Sequence, residues 1–194
     1  MKAATPRIRI SAAIGTALLY AAISMPVHAG NNPLDSNTCR DAIGFVERSM
    51  KLPIGIMQAI SLAESGRWDK ASRSQFAWPW TVTAHGRGQF YPSKQAAIAA
   101  VRKLKADGVK NIDVGCMQVN LMYHPKAFAS LDAAFDPPTN ARYSAALFAK
   151  LRRANRSIMR AIAHYHSTTR ARNRPYTKKV VRLWNAERRR YFNE

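Results

Sequence analysis

Apolar residues recur at helical spacing along most of the chain. From Cys39 onward, Ile43, Val46 and Met50 share one face, while Asp41, Glu47 and Arg48 fall off it. Leu52-Pro53 breaks that helix, and Pro53 is suited to open the next one. There Ile56, Met57, Ile60 and Ala63 form an apolar stripe, and Gly66 follows as a stop. Ser93 reads as the cap of a helix to about Asp107, with Ala97, Ile98, Val101 and Leu104 inward and Gly108 ending it. Three more helices are expected. One covers Asn140–Arg153, on Tyr143, Leu147 and Leu151; one covers Ile158–His164. The last covers Tyr176–Tyr191, with Val180, Leu183 and Trp184 inward and Arg188 to Arg190 exposed. One stretch alternates differently. Trp80 to Thr83 has strand composition, Gly86-Arg87-Gly88 signals a turn, and Gln89 to Tyr91 supplies a return strand. Asn31–Thr38 is polar and reads as loose, and Asn111–Asn120 starts as a loop. The pattern predicts a mainly α single domain with one small β-hairpin, without internal repeats.

The first 29 residues follow another logic. Lys2, Arg7 and Arg9 precede a nearly all-apolar run from Ile10 to Ile23, and Val27-His28-Ala29 fits a small-residue cleavage site. An export signal over 1–29, cut after Ala29, is expected. The alternative is an uncleaved anchor, for which the run is too short to span a bilayer. The domain would then be 30–194. Of 31 basic residues three leave with the signal, and against 11 acidic ones this gives +17, compared with +20 for the whole chain. Such a charge attracts nucleic acid, acidic membrane surfaces and anionic wall polymer alike; export removes most nucleic acid from reach, so none is expected as a partner. In the same compartment the two cysteines, Cys39 and Cys116, form an even count that favours a disulfide over two buried thiols. No Cys/His cluster has metal-ligand spacing, His124, His164 and His166 included, so neither a metal nor a cofactor is expected.

Three short runs carry candidate chemistry. Glu64 lies four residues after Ile60 and seven after Met57, on the apolar face of its helix. A carboxyl there resists ionisation, which suits a general acid near neutral pH. The plainer reading is a helix-end glutamate bent back to water. Gly115-Cys116-Met117-Gln118-Val119-Asn120 offers two amides and a thioether that suit sugar hydroxyls and N-acetyl groups, or merely a turn with satisfied amides. Ala161 to Ser167 ends a helix with His164, Tyr165 and His166, and Tyr165 is either a hydrogen-bond donor to a carboxylate or a core aromatic.

Together and in this order, the runs resemble the lytic transglycosylases with an SLT domain, a goose-type-lysozyme-like group. Ala63-Glu64-Ser65-Gly66 is similar to their helix ending in Glu-Ser-Gly. Gly115 to Asn120 is similar to Gly-Leu-Met-Gln-Val-Asn, with Cys116 in place of Leu. Ala163-His164-Tyr165-His166-Ser167 is similar to a helix ending Ala-Tyr-Asn, with His166 in place of Asn. The resemblance covers roughly Leu52 to Trp184. It implies a lysozyme-like fold and a peptidoglycan glycan strand as substrate. Glu64 would act first as acid and then as base, with Ser65, Met117, Gln118, Asn120 and Tyr165 around the substrate and Tyr165 bonded to Glu64. It also makes the Trp78-Pro79-Trp80 segment an edge of the glycan groove, against core packing as the alternative. Asp113 is the nearest second acid and is expected to order its loop. Cys116 bridged to Cys39 would pin the second run to the first helix. The protein is expected as a monomer in the periplasm or cell envelope, with a secretion-machinery or envelope partner left open. The rivals are a muramidase that uses water and a non-catalytic basic binding protein.

Overall fold

The computed structural model describes Met1 and residues 33–193, with side-chain surroundings from residue 38 on. The expected export signal and its expected cleavage site after Ala29 lie outside the described residues. The elements run α1 (Pro33–Ser49), α2 (Ile56–Ser65), β1 (Gly66–Asp69), β2 (Ser74–Ala77), β3 (Thr81–Ala84), β4 (Arg87–Phe90), α3 (Lys94–Ala106), β5 (Ile112–Val114), β6 (Val119–Asn120), α4 (Leu131–Ala134), α5 (Pro137–Asn155), α6 (Ile158–His166) and α7 (Arg170–Asn193). The described chain is mainly α, with two small antiparallel sheets: β1-β2, and β4-β3-β5-β6.

Two apolar clusters organise these elements. The larger joins Ile43 and Val46 of α1, Ile56 and Ile60 of α2, Phe148 of α5, Ile162 of α6 and Val180 of α7. The smaller packs Val82, Ile112 and Val114 of the sheet against Ala97 and Val101 of α3 and Phe135. Phe128 touches both. The chain passes from the helical cluster to the sheet at the end of α2, which is where Glu64 sits.

α2 depends on its neighbours. Gly55 caps it with φ 76° and offers no side chain. The carboxylate of Glu47, on α1, instead accepts the backbone N–H groups of Gly55 (3.1 Å), Met57 (2.5 Å) and Gln58 (3.3 Å). Those are orphan donors of a helix start, and an anion there also suits the helix dipole. Pro53 therefore precedes the helix rather than opening it.

The expected β3–β4 hairpin is present, in register Thr81↔Phe90 to Ala84↔Arg87. His85 and Gly86 both have positive φ, as a two-residue turn matching strand twist requires. The β1–β2 hairpin and the β5–β6 pair were not expected, because strands of two to four residues carry too few positions to show alternation. α1 begins at Pro33, so the stretch read as loose is partly helical; proline suits a first helical position, and the polar turn simply lacks a stripe. Met50 falls beyond the end of α1 and is exposed, leaving Leu52 to close that core edge. On α5 the buried face is Ala141, Ser144, Ala145 and Phe148, one step round from Tyr143, Leu147 and Leu151, which flank it. Small residues there let α1 approach closely. α7 starts before Pro175 and carries that proline inside it.

Cys39 and Cys116 form a disulfide, with Cα atoms 5.8 Å apart across a sequence separation of 77. Asn140 on α5 holds the same loop: its Oδ1 accepts Met117 N–H (2.9 Å), and its Nδ2 donates to the carbonyls of Val114 (3.1 Å) and Ala134 (3.0 Å).

Candidate active site

Glu64 stands one residue before the end of α2, with its carboxyl turned inward yet retaining some exposure. Tyr176 Oη, from α7, donates to Glu64 Oε1 at 2.7 Å. Burial pushes the Glu64 carboxyl up to about 7; the Tyr176 bond opposes this, the nearby Asp113 charge adds to it, and Lys179 opposes it. Lys179 Nζ also donates to the Ala63 carbonyl at 2.6 Å, and Trp78 N–H donates to the Ser65 carbonyl at 3.0 Å, so both serve the end of α2. Glu64 is thus a carboxyl whose proton is held to about pH 7, bonded at one oxygen, on a residue that keeps partial exposure.

The tyrosines divide the work differently from the expectation. Tyr165 does not bond Glu64. Its hydroxyl donates to the Met117 carbonyl at 3.1 Å and so holds the backbone of the second run. Tyr176 takes the expected role, because α7 packs along α2 and brings Tyr176 and Val180, one helical turn apart, onto the same inward face. The sequence reading placed Tyr176 as a helix start and overlooked it; the Tyr176–Val180 spacing was the available signal. Burial first, and then the charge of Glu64, raise both phenols, so each stays a donor. His166 stacks on Tyr176, ring centroids 4.4 Å apart and nearly parallel (8°). Burial, with Arg172 and Lys179, lowers its pKa and keeps the ring neutral near pH 7.

Two other expectations are corrected by burial. Ser65 is 1 % exposed and donates to the carbonyls of Cys116 (2.6 Å) and Ser61 (3.3 Å), so its hydroxyl ties α2 to the second run and does not reach a substrate. Met117 is fully buried, with its side chain in the helical core, and lines no groove. The two amides are engaged within the loop. Gln118 Nε2 donates to the Thr81 and Gly115 carbonyls, both at 3.0 Å, and its Oε1 accepts Thr83 Oγ1 at 2.6 Å. Asn120 Nδ2 donates to Asn111 Oδ1 and Asp113 Oδ1, and its Oδ1 accepts the N–H groups of Met122 and Tyr123. The second run is held to α2 through Ser65 and to α6 through Tyr165. Asp113, as expected, orders this loop through Asn120; burial raises its pKa against that bond.

The glycines of the first two runs have steric causes. A Cβ on Gly66 would lie 2.2 Å from the Leu62 carbonyl oxygen and 2.4 Å from Gln75 Nε2. Gly115 has φ 82°, and a Cβ there would stand 2.5 Å from Asn140 Nδ2. Each lets two segments approach to within hydrogen-bonding range.

Trp78 is 3 % exposed, with its indole N–H on the Tyr91 carbonyl (2.7 Å) and Arg67 over its ring, so core packing describes it. Trp80 meets it edge-on and is partly exposed. Trp68, four residues after Glu64 on β1, is 61 % exposed and offers a free aromatic face that the sequence reading passed over. His124 shares a hydrogen bond with Tyr143 (2.9 Å). Among the described residues no cluster of three or more His, Cys, Asp or Glu side chains is placed to hold a metal ion, and no helix is long and apolar enough to cross a membrane. The chain matches no protein-family model, no curated protein and no solved structure.

Proposed function

We propose that this protein is a peptidoglycan lytic transglycosylase of lysozyme-like fold, exported to the periplasm or cell envelope. The observation that carries the reading is the setting of Glu64: an inward carboxyl held by Tyr176 at 2.7 Å, where burial pushes its pKa up to about 7, with Asp113, the nearest second acid, accepting a hydrogen bond from Asn120. Two free carboxylates are the usual requirement of glycoside cleavage, and substrate assistance is the route around it.

The protonated Glu64 gives its proton to the glycosidic oxygen between N-acetylmuramic acid and N-acetylglucosamine, and that C–O bond breaks. The acetamide of the muramic residue stabilises the cationic centre. The Glu64 carboxylate then removes the proton of the C6 hydroxyl of the same residue, and O6 closes on C1. The product is a 1,6-anhydro end, the acid is regenerated, and no water enters. A pKa near 7 serves both halves, since donor and acceptor forms are comparably populated at working pH. Tyr176 orients the carboxyl, Lys179 and Asp113 trim its charge, and Tyr165, Gln118 and Asn120 keep the facing loop in place. Trp68 and Trp80 offer aromatic faces to sugar rings.

Mass spectrometry of purified peptidoglycan digested by residues 30–194, beside Glu64→Gln, tests this. Anhydro-muropeptides from the wild type alone are expected. Reducing-end products would replace the reading with a muramidase, and no soluble product from either protein would remove the catalytic claim in favour of a basic binding protein.

A further inference from the structure

A concavity with no role in the Glu64 site lies at the other end of α2. It has a volume of ≈ 580 Å³ and sits between α1, the α1–α2 turn and the end of α7. The ten residues of α2 rise about 14 Å, so this hollow is separate from Glu64.

Its composition is unlike ordinary surface. Phe45 (63 % exposed), Ile54 and Tyr191 open onto it, all three large and exposed. Three large, exposed apolar side chains lining one hollow form the kind of patch that marks a contact site. Gly44 leaves the α1 wall open. The charges are arranged one way. The two buried acids at its base are spent: Glu47 on backbone N–H groups of α2, and Glu187 on Arg40, which holds it at 2.9 and 3.2 Å. Arg48 and Lys51 have no ion-pair partner among the described residues, and Arg190 stands 3.6 Å from the already satisfied Glu187. Asp41 is the one exposed acid of the lining.

We infer that this hollow is a docking site for an acidic peptide segment of another protein, which inserts an aliphatic or aromatic side chain between Phe45, Ile54 and Tyr191 while its carboxylates meet Arg48, Lys51 and Arg190. Aromatic and arginine side chains around a concavity are the usual anchors of protein–protein contacts. A sugar would need free acceptors, and the two buried carboxylates are occupied. A lipid surface would need a protruding face, and this one is hollow.

Fluorescence anisotropy with a labelled helical peptide of about fourteen residues, built from Glu, Ala and Leu with Leu three and four apart, provides the test. Comparison peptides carry Lys for Glu, or Ser for Leu. The Glu/Leu peptide is expected to bind, and to bind about tenfold more weakly to Arg48→Glu/Lys51→Glu and to Phe45→Ser. Arg152→Glu/Arg153→Glu, an equal charge change on exposed residues of α5, is expected to leave binding nearly unchanged. Equal loss in that control, equal binding of the Ser peptide, or stronger attachment to phosphatidylglycerol vesicles with the same residue dependence would overturn the inference. Phe45, Arg48 and Lys51 are exposed, so folding is preserved, and thermal melts confirm it. The result is independent of the reading of Glu64.

Discussion

Glu64→Gln should make the protein more stable, and only above the pH at which a free carboxyl ionises. In the unfolded chain this carboxyl titrates near 4.5, and in the folded chain near 7. The folded state therefore binds the proton more tightly, and stability contributed by the neutral form is lost as pH rises from about 4.5 to about 7, then stays level. At 1.36 kcal/mol for each tenfold in proton affinity, the full difference is about 3 kcal/mol. Glu64 keeps some solvent contact, so about 2 kcal/mol is the expected size. Glutamine has nearly the same shape, its carbonyl can still accept from Tyr176, and it never ionises. Urea unfolding of both proteins from pH 4 to pH 8, with the disulfide intact, reads the difference directly. Glu47 and Asp113 titrate in both proteins and largely cancel. The two should be about equally stable at pH 4, and the glutamine variant more stable at pH 8. A gap that does not vary with pH, or a wild type that is the more stable at pH 8, would refute the claim that the fold carries a strained carboxylate.

Other consequences can be measured in the same way. Tyr176→Phe removes a bond that favours the carboxylate, so Glu64 should hold its proton to higher pH; the descending limb of the pH–rate profile on peptidoglycan should move up by about one pH unit, and an unmoved limb would free Tyr176 from this role. Cys39→Ser/Cys116→Ser opens a loop of 77 residues and should cost about 4 kcal/mol, seen as a lower urea midpoint. Asn140→Ala strands the Met117 N–H and two carbonyl groups, and a loss of about 3 kcal/mol is expected by thermal melting. Gly66→Ala drives a methyl into the Leu62 carbonyl and should cost more than Gly86→Ala, whose Cβ meets nothing within 4 Å and pays only for its positive φ, about 1 kcal/mol.

The sequence was a good guide where periodicity is long and a poor one where partners are distant. The stripe Ile56-Met57-Ile60 located α2 and put Glu64 on an inward face, because helical geometry alone links those positions. Ser93 capped α3 as read, through its bond to Ala96 N–H. The β3–β4 hairpin was legible in its glycine turn. The partner of Glu64 was not, since Tyr176 lies 112 residues away and reaches it only through the packing of α7 on α2. The roles of Ser65 and Met117 were misassigned for a related reason: residue type shows what a side chain is able to bind, while burial decides what it does bind. The capping of α2 by Glu47 was equally invisible, because it links two helices across a break.

α2 contains no acid in its first turn and no base in its last. Both are lent: Glu47 from α1 at one end, Lys179 from α7 at the other. The negative pole of a helix favours a protonated carboxyl, so Glu64 stands where the helix itself resists ionisation, and a lysine elsewhere in the chain moderates that resistance. The acidity of the site is thereby uncoupled from the Glu-Ser-Gly run that bears it. A lineage could shift its working pH by exchanging Lys179 or Asp113 while every residue of that run stayed the same, so chains with identical short motifs need not share a pH optimum.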